Sequence, residues 1–168
     1  LAGARGLVSL SASGNDSITT VEPFGASLRR LDASESNIGD AGLVTATNLV
    51  YLNASYSSDI RSLAPFSASL LELDVSRNQA GRIDDAALSV AANLIALKAT
   101  ENRTITTVQS CGRSLRHLVA WGSDCALTDE GVSTATQLVT LDCCWNRNLT
   151  TMEPFLHSLE ELTTNTRT

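Results

Sequence analysis

One pattern returns along the whole chain every 21 to 24 residues, and its core reads Leu-x-x-Leu-x-Ala-Ser-x-Asn. It stands as LVSLSASGN from Leu7, LLELDVSRN from Leu70, LIALKATEN from Leu94 and LVTLDCCWN from Leu138. Looser copies begin at Leu28, Leu49, Leu115 and Leu159. A short fixed period excludes a globule closed around one core. It implies a stack of similar units, each too small to bury its own apolar edge. The reading is one domain over residues 1–168. About seven units start near 7, 28, 49, 70, 94, 115 and 138, with a partial unit from 159.

Within each unit the first Leu, the second Leu and the small residue two positions later face inward, as in Leu49, Leu52 and Ala54. Alternation at the last two is strand-like. Stacked copies therefore predict a parallel sheet backed by a continuous core. The small inward residue is Ala12, Ala33, Ala54, Val75, Ala99, Ala120 and Cys143. With aromatics at 4%, aliphatic side chains and Ala must fill that core. Five residues after the second Leu stands Asn or Ser: Asn15, Ser36, Ser57, Asn78, Asn102, Ser123, Asn146. An amide donates and accepts at once, so this column is expected to satisfy backbone groups where the chain leaves the sheet. A later aliphatic (Ile18, Ile38, Ile60, Ile83, Ile105, Leu127, Leu149) closes the core from the far side.

Two kinds of unit alternate. One ends in VEPFGAS, LAPFSAS or MEPFLHS, with VQSCGRS as a copy that lacks Pro and Phe. Proline there predicts a turn or short 3₁₀ segment, with Phe24, Phe66 and Phe155 plugging the side opposite the sheet. The other carries IGDAGLVTA, IDDAALSVA or LTDEGVSTA, predicting short helices with Asp40, Asp85 and Asp129 as N-caps.

On these motifs the chain resembles a leucine-rich repeat protein. The helix-bearing units are similar to cysteine-containing and ribonuclease-inhibitor-like repeats, and the Pro-Phe units to the shorter repeats of internalin-like arrays. The sequence departs from the family pattern where Ala replaces Leu at the third inward position. The resemblance implies an α/β solenoid shaped as a horseshoe or arc. Its concave face would carry the parallel sheet, short helices or 3₁₀ turns would lie on the convex side, and protein would bind on the concave face. It implies no catalytic residue.

The outward strand positions and the residues that follow them hold both Tyr and both Trp. Such residues, with Arg, dominate interface hot spots. The candidate partner-binding set is therefore Tyr51, Tyr56, Arg77, Glu101, His117, Trp121, Asp142 and Trp145. A Ser/Thr column (Ser13, Ser34, Ser55, Ser76, Thr100) reads as small residues suited to a crowded sheet. The acidic level at Asp32, Asn53, Asp74 and Asp142 reads as solvated surface charge.

The function classes excluded follow from charge and motif. Net charge is −6, which repels phosphate backbones and argues against nucleic acid as a partner. No apolar run reaches the length of a membrane span. No phosphate loop and no metal-ligand or cofactor motif is present, and His117 and His157 stand in no nucleophile motif, so no cofactor, metal or catalysis is expected. Cys111, Cys125, Cys143 and Cys144 fit no zinc or redox spacing and read as free thiols. Free thiols lean toward a cytoplasmic setting over an extracellular one. Against that lean stand Asn-x-Ser/Thr sites at Asn15, Asn53, Asn102 and Asn148, of which Asn53 falls in a strand and is a poor acceptor. The opening LAGARGLVSL lacks Met, and the close falls just inside a repeat, as in a piece of a longer array. The function expected is a protein–protein interaction scaffold or recognition module. The other reading is an extracellular adhesin or surface receptor for a glycan or host protein. Partner identity and oligomeric state stay open.

Overall fold

The structure, a computed structural model, describes residues 6–57, 59–78 and 83–165. The outer bounds expected for the domain, 1 and 168, lie outside that range. The described residues form one eight-stranded parallel sheet in strict sequence order. Its strands are β1 (Ser9–Ser11), β2 (Arg30–Asp32), β3 (Tyr51–Asn53), β4 (Glu72–Asp74), β5 (Ala96–Lys98), β6 (His117–Val119), β7 (Thr140–Asp142) and β8 (Glu161–Thr163). Register is uniform: Leu10, Leu31, Leu52, Leu73, Leu97, Leu118, Leu141 and Leu162 lie side by side across the sheet. The sheet is open. Strands β2 to β7 each expose one side and bury their central Leu, so burial holds the register between them, whereas at the two ends Leu10 is half-buried and Leu162 exposed.

Behind the sheet the core is one continuous column. Leu49, Leu52 and Ala54 are fully buried, as are their counterparts in the inner units. The small column from Ala12 to Cys143 is buried throughout. Phe24, Phe66 and Phe155 are buried as the motif predicts, beside 3₁₀ segments at Gly25–Ser27, Ala64–Phe66 and Glu153–Phe155. Cys111 takes the place of the missing Phe and is also buried. Helices α1 (Asp40–Leu43), α2 (Asp85–Leu88) and α3 (Asp129–Val132) bury Leu43, Leu88 and Val132.

Two expectations are corrected. Asp40, Asp85 and Asp129 are not N-caps. They open the first helical turn, and the caps are Gly39, Asp84 and Thr128. Their carboxylates instead reach the next unit. Asp129 Oδ1 accepts from the backbone N–H groups of Thr150 and Thr151 at 2.8 and 3.1 Å, and Oδ2 accepts from the Thr150 hydroxyl at 2.6 Å. Asp85 repeats the arrangement on Thr106 and Thr107, and Asp40 accepts from the N–H groups of Arg61 and Ser62. Ser123 is exposed and stands outside the Asn/Ser column. Its unit carries two additional residues, so buried Cys125, two before Leu127, stands where Ser36 stands before Ile38.

The column works as expected at Asn15, Ser36, Asn102 and Asn146, whereas the buried Ser57 hydroxyl has no hydrogen-bond partner among the described residues. Asn102 Oδ1 accepts from the N–H groups of Thr104 and Ile105, and its amide donates to the Val75 carbonyl of the unit before. Asn146 likewise donates to Ala120. Hydroxyls add a second set of ties. Ser69 Oγ donates toward the Leu49 carbonyl at 2.7 Å and Ser114 Oγ toward Leu94 at 2.8 Å, each one unit back.

Candidate partner-binding face

The exposed side of the sheet and the turn that follows each strand hold the candidate residues. Outward strand positions alternate with the inward Leu because strand side chains have period two. Tyr51, on β3, is half-buried, with the Arg30 guanidinium 4.2 Å from its ring centre. Arg30 also reaches Glu72 at 3.9 Å, so it spans from β2 across β3 to β4. Burial raises the Tyr51 phenol above its ordinary pKa, and the carboxylates of Asp32 and Asp74 add to the effect. His117 is exposed, with Nδ1 3.0 Å from the Thr140 hydroxyl on the next strand.

The acidic level has a structural task. Oδ1 of Asp32, Asn53, Asp74 and Asp142 each accepts from the backbone N–H two residues on, at Ser34, Ser55, Ser76 and Cys144. These Asx-turns bend the chain out of the sheet. The candidate Asp142 therefore holds its own turn. Ser34 is buried rather than outward and bonds Ser13 Oγ and Asp32. Trp121, in the same column, is half-buried.

One position later the backbone turns over. Gly14, Glu35, Tyr56, Arg77, Glu101, Gly122 and Trp145 all have positive φ, from 49° at Glu101 to 104° at Gly122. Left-handed geometry costs a non-Gly residue about 1–2 kcal/mol, so five such residues are strain held by the stack. The geometry aims large side chains along one edge of the sheet. Tyr56 is 49% exposed and Trp145 60%. Arg77 links three of the row: its Nη1 donates to the Tyr56 hydroxyl at 2.5 Å, its Cζ lies 5.4 Å from the Tyr56 ring centre, and its Nε pairs with Glu101 at 3.1 Å. The structure thus brings Tyr56, Arg77 and Glu101 together. It places Trp145 at the same level but beyond Gly122, and Trp121 one level below. Periodicity did not reveal this row, although glycine in two of seven copies was the available signal of positive φ.

Beside Trp145 opens a cleft of about 830 Å³, lined by Cys143, Arg147, Leu149, Thr150 and Thr164 among others. Cys111, Cys125 and Cys143 are buried free thiols, and Cys144 is half-buried. Burial pushes the Cys111 and Cys125 thiols up to about 11, so neither is poised as a nucleophile. Among the described residues no group of three His, Cys, Asp or Glu side chains is placed to share a metal ion. Among them, too, no helix is long and apolar enough to cross a membrane.

The architecture matches a solved structure. An internalin from Listeria monocytogenes superposes with a TM-score of 0.63 over 88% of this chain, at 23% sequence identity. The fold is a leucine-rich repeat solenoid. The chain spans 45% of the length of that solved internalin chain. No protein-family model matches the sequence, and no curated protein does.

Proposed function

We propose that this solenoid is a non-catalytic protein-interaction scaffold or recognition module. It takes its partner on the exposed sheet face, the concave side of the arc, and on the edge row beside it. The observation that carries the reading is that row. Four large side chains, Tyr56, Arg77, Glu101 and Trp145, occupy backbone positions where glycine would be relaxed, and two of them are exposed aromatics. Strained backbone carrying hot-spot residue types at a surface is the pattern of a site in which strain serves recognition. Tyr51, His117, Trp121 and Asp142 complete the face as its floor. The array acts as one domain over 1–168, with units starting near 7, 28, 49, 70, 94, 115 and 138. A stack tied at each step presents that surface pre-ordered, so binding spends little on ordering. The helix-bearing units belong with the cysteine-containing and ribonuclease-inhibitor-like repeats on the motif around Asp40, Asp85 and Asp129.

Affinity capture from the source cell tests the reading, with wild type compared with a Tyr56→Ser/Trp145→Ser variant. Both side chains are exposed, so the variant keeps its fold by circular dichroism. A protein retained by wild type and lost by the variant is the expected result. A protein retained equally by both overturns the placement on this face.

A further inference from the structure

The central column of the open sheet face carries more charge than its turns need. Asp32, Asn53, Asp74 and Asp142 each accept from the backbone N–H two residues on. Asn53 does so without a charge, so the turn asks only for a side-chain oxygen. Three of the four positions are nonetheless carboxylates. Glu72 and Glu161 open β4 and β8 on the same side, and Glu35 and Glu101 stand in the left-handed row. The outward strand positions and the turn residues after them thus hold seven carboxylates against three cations, Arg30, Arg77 and Lys98. The rest of the chain holds eleven against nine.

All three cations are already engaged on the face. Arg77 pairs with Glu101 at 3.1 Å, Arg30 with Glu72 at 3.9 Å and Lys98 with Asp74 at 4.0 Å. Asp32, Glu35, Asp142 and Glu161 have no ion pair among the described residues. The surplus is felt at Tyr51: burial raises its phenol first, and Asp32, Asp74 and Glu72 raise it further against the opposing Arg30.

Apolar side chains border this acidic floor. At the strand ends stand Tyr56 and Trp145. At the strand starts Val8, Val50, Leu71, Ile95 and Val139 precede β1, β3, β4, β5 and β7, and each carbonyl accepts two N–H bonds from the next unit. Val8 is 54% exposed and Ile95 38%, with the other three half-buried. Arg29 and Arg116 interrupt this border, each held by backbone carbonyls, and Glu160 ends it.

Resting on the scaffold reading above, we propose that the open sheet face receives a basic segment of the protein partner, with its Lys or Arg heads over the column of Asp32, Asp74 and Asp142 and its apolar side chains on the two borders. Opposite charge steers such a segment in and rejects partners of like sign. A second copy of this chain, at −6, is of like sign.

The probe is a capped Gly-Leu-Arg-Gly-Leu-Arg-Gly-Leu-Arg-Gly peptide, with citrulline or glutamate for arginine as its neutral and acidic counterparts. Titrated into the isotopically labelled chain, it should shift the amide resonances of Ser34, Ser76 and Cys144, which bond the three Asp side chains. Those of Ala87 and Gly131, at the helix caps, should stay still. The citrulline peptide should bind about tenfold less tightly, and salt raised from roughly 50 to 500 mM should weaken the arginine peptide. Asp32→Asn/Glu35→Gln/Asp142→Asn should weaken binding several-fold, and its two Asn keep their turns as Asn53 does. Glu22→Gln/Glu130→Gln/Glu153→Gln removes the same three charges from exposed positions elsewhere and should bind as wild type. Face amides that stay still at millimolar peptide overturn the proposal. So does equal binding of the citrulline or glutamate peptide, or equal weakening in both triple variants. Any of these beside a partner captured through Tyr56 and Trp145 would sink the basic segment alone and leave the scaffold reading standing.

Discussion

At the scale of single residues, backbone sign and burial decide most. Glu35 sits in the left-handed region at φ 50° with an exposed side chain. Glu35→Gly should therefore stabilise the fold by roughly 0.5–1 kcal/mol. Gly122→Ala should destabilise it by about 1–3 kcal/mol, because the new Cβ meets Glu101. Urea midpoints that move in the same direction for both would contradict this account. The buried thiols give a pH dependence. Cys111 and Cys125 keep their protons to about pH 11 when folded, whereas unfolded thiols ionise near ~8.5. A raised folded value means stability fully present below the unfolded value and lost as pH climbs toward the folded one. A Cys111→Ala/Cys125→Ala variant should thus lose less of its urea midpoint than wild type between pH ~8 and ~10.5. Equal losses would show that the thiols do not contribute.

At the scale of elements, the inward faces of every strand were legible because Leu and small residues recur at strand period. The buried Phe of the Pro-Phe units was legible for the same reason. The role of Asp129 was not. An N-cap and a first-turn residue differ by one position, and the bonds that Asp129 makes lie 21 and 22 residues away. Nor could a period announce the left-handed row, since five of its seven members have side chains that ordinarily avoid it. Burial alone would raise the Asp129 carboxyl, but the Thr150 hydroxyl and the N–H groups of Thr150 and Thr151 outweigh it and hold it below its ordinary value. The stability tied to that carboxylate is present above the unfolded carboxyl range near ~3.9 and is lost as pH falls through the lowered value. Asp129→Asn and Asp85→Asn should each cost roughly 1–2 kcal/mol at neutral pH, since each weakens charge-assisted bonds between adjacent units. Hydrogen exchange at Thr106 and Thr150 should quicken in the matching variant. Unchanged exchange at those amides would mean that the carboxylates do not tie the units.

At the scale of the molecule, stability is a sum of units and nearest-neighbour ties, and function rests on what the stack holds rigid. Four of the exposed apolar groups mark two different sides. Tyr56 and Trp145 stand on the edge of the sheet face, while Val44 follows α1 and Leu156 follows the last 3₁₀ segment. The account assigns recognition to the first set. The most direct test is hydroxyl-radical and carboxyl footprinting by mass spectrometry on the complex recovered by capture. The account predicts protection of Tyr56, Glu101, Asp142 and Trp145, with Val44 and Leu156 as reactive as in the free chain. Protection of Val44 and Leu156 with the sheet-edge row left open would contradict it.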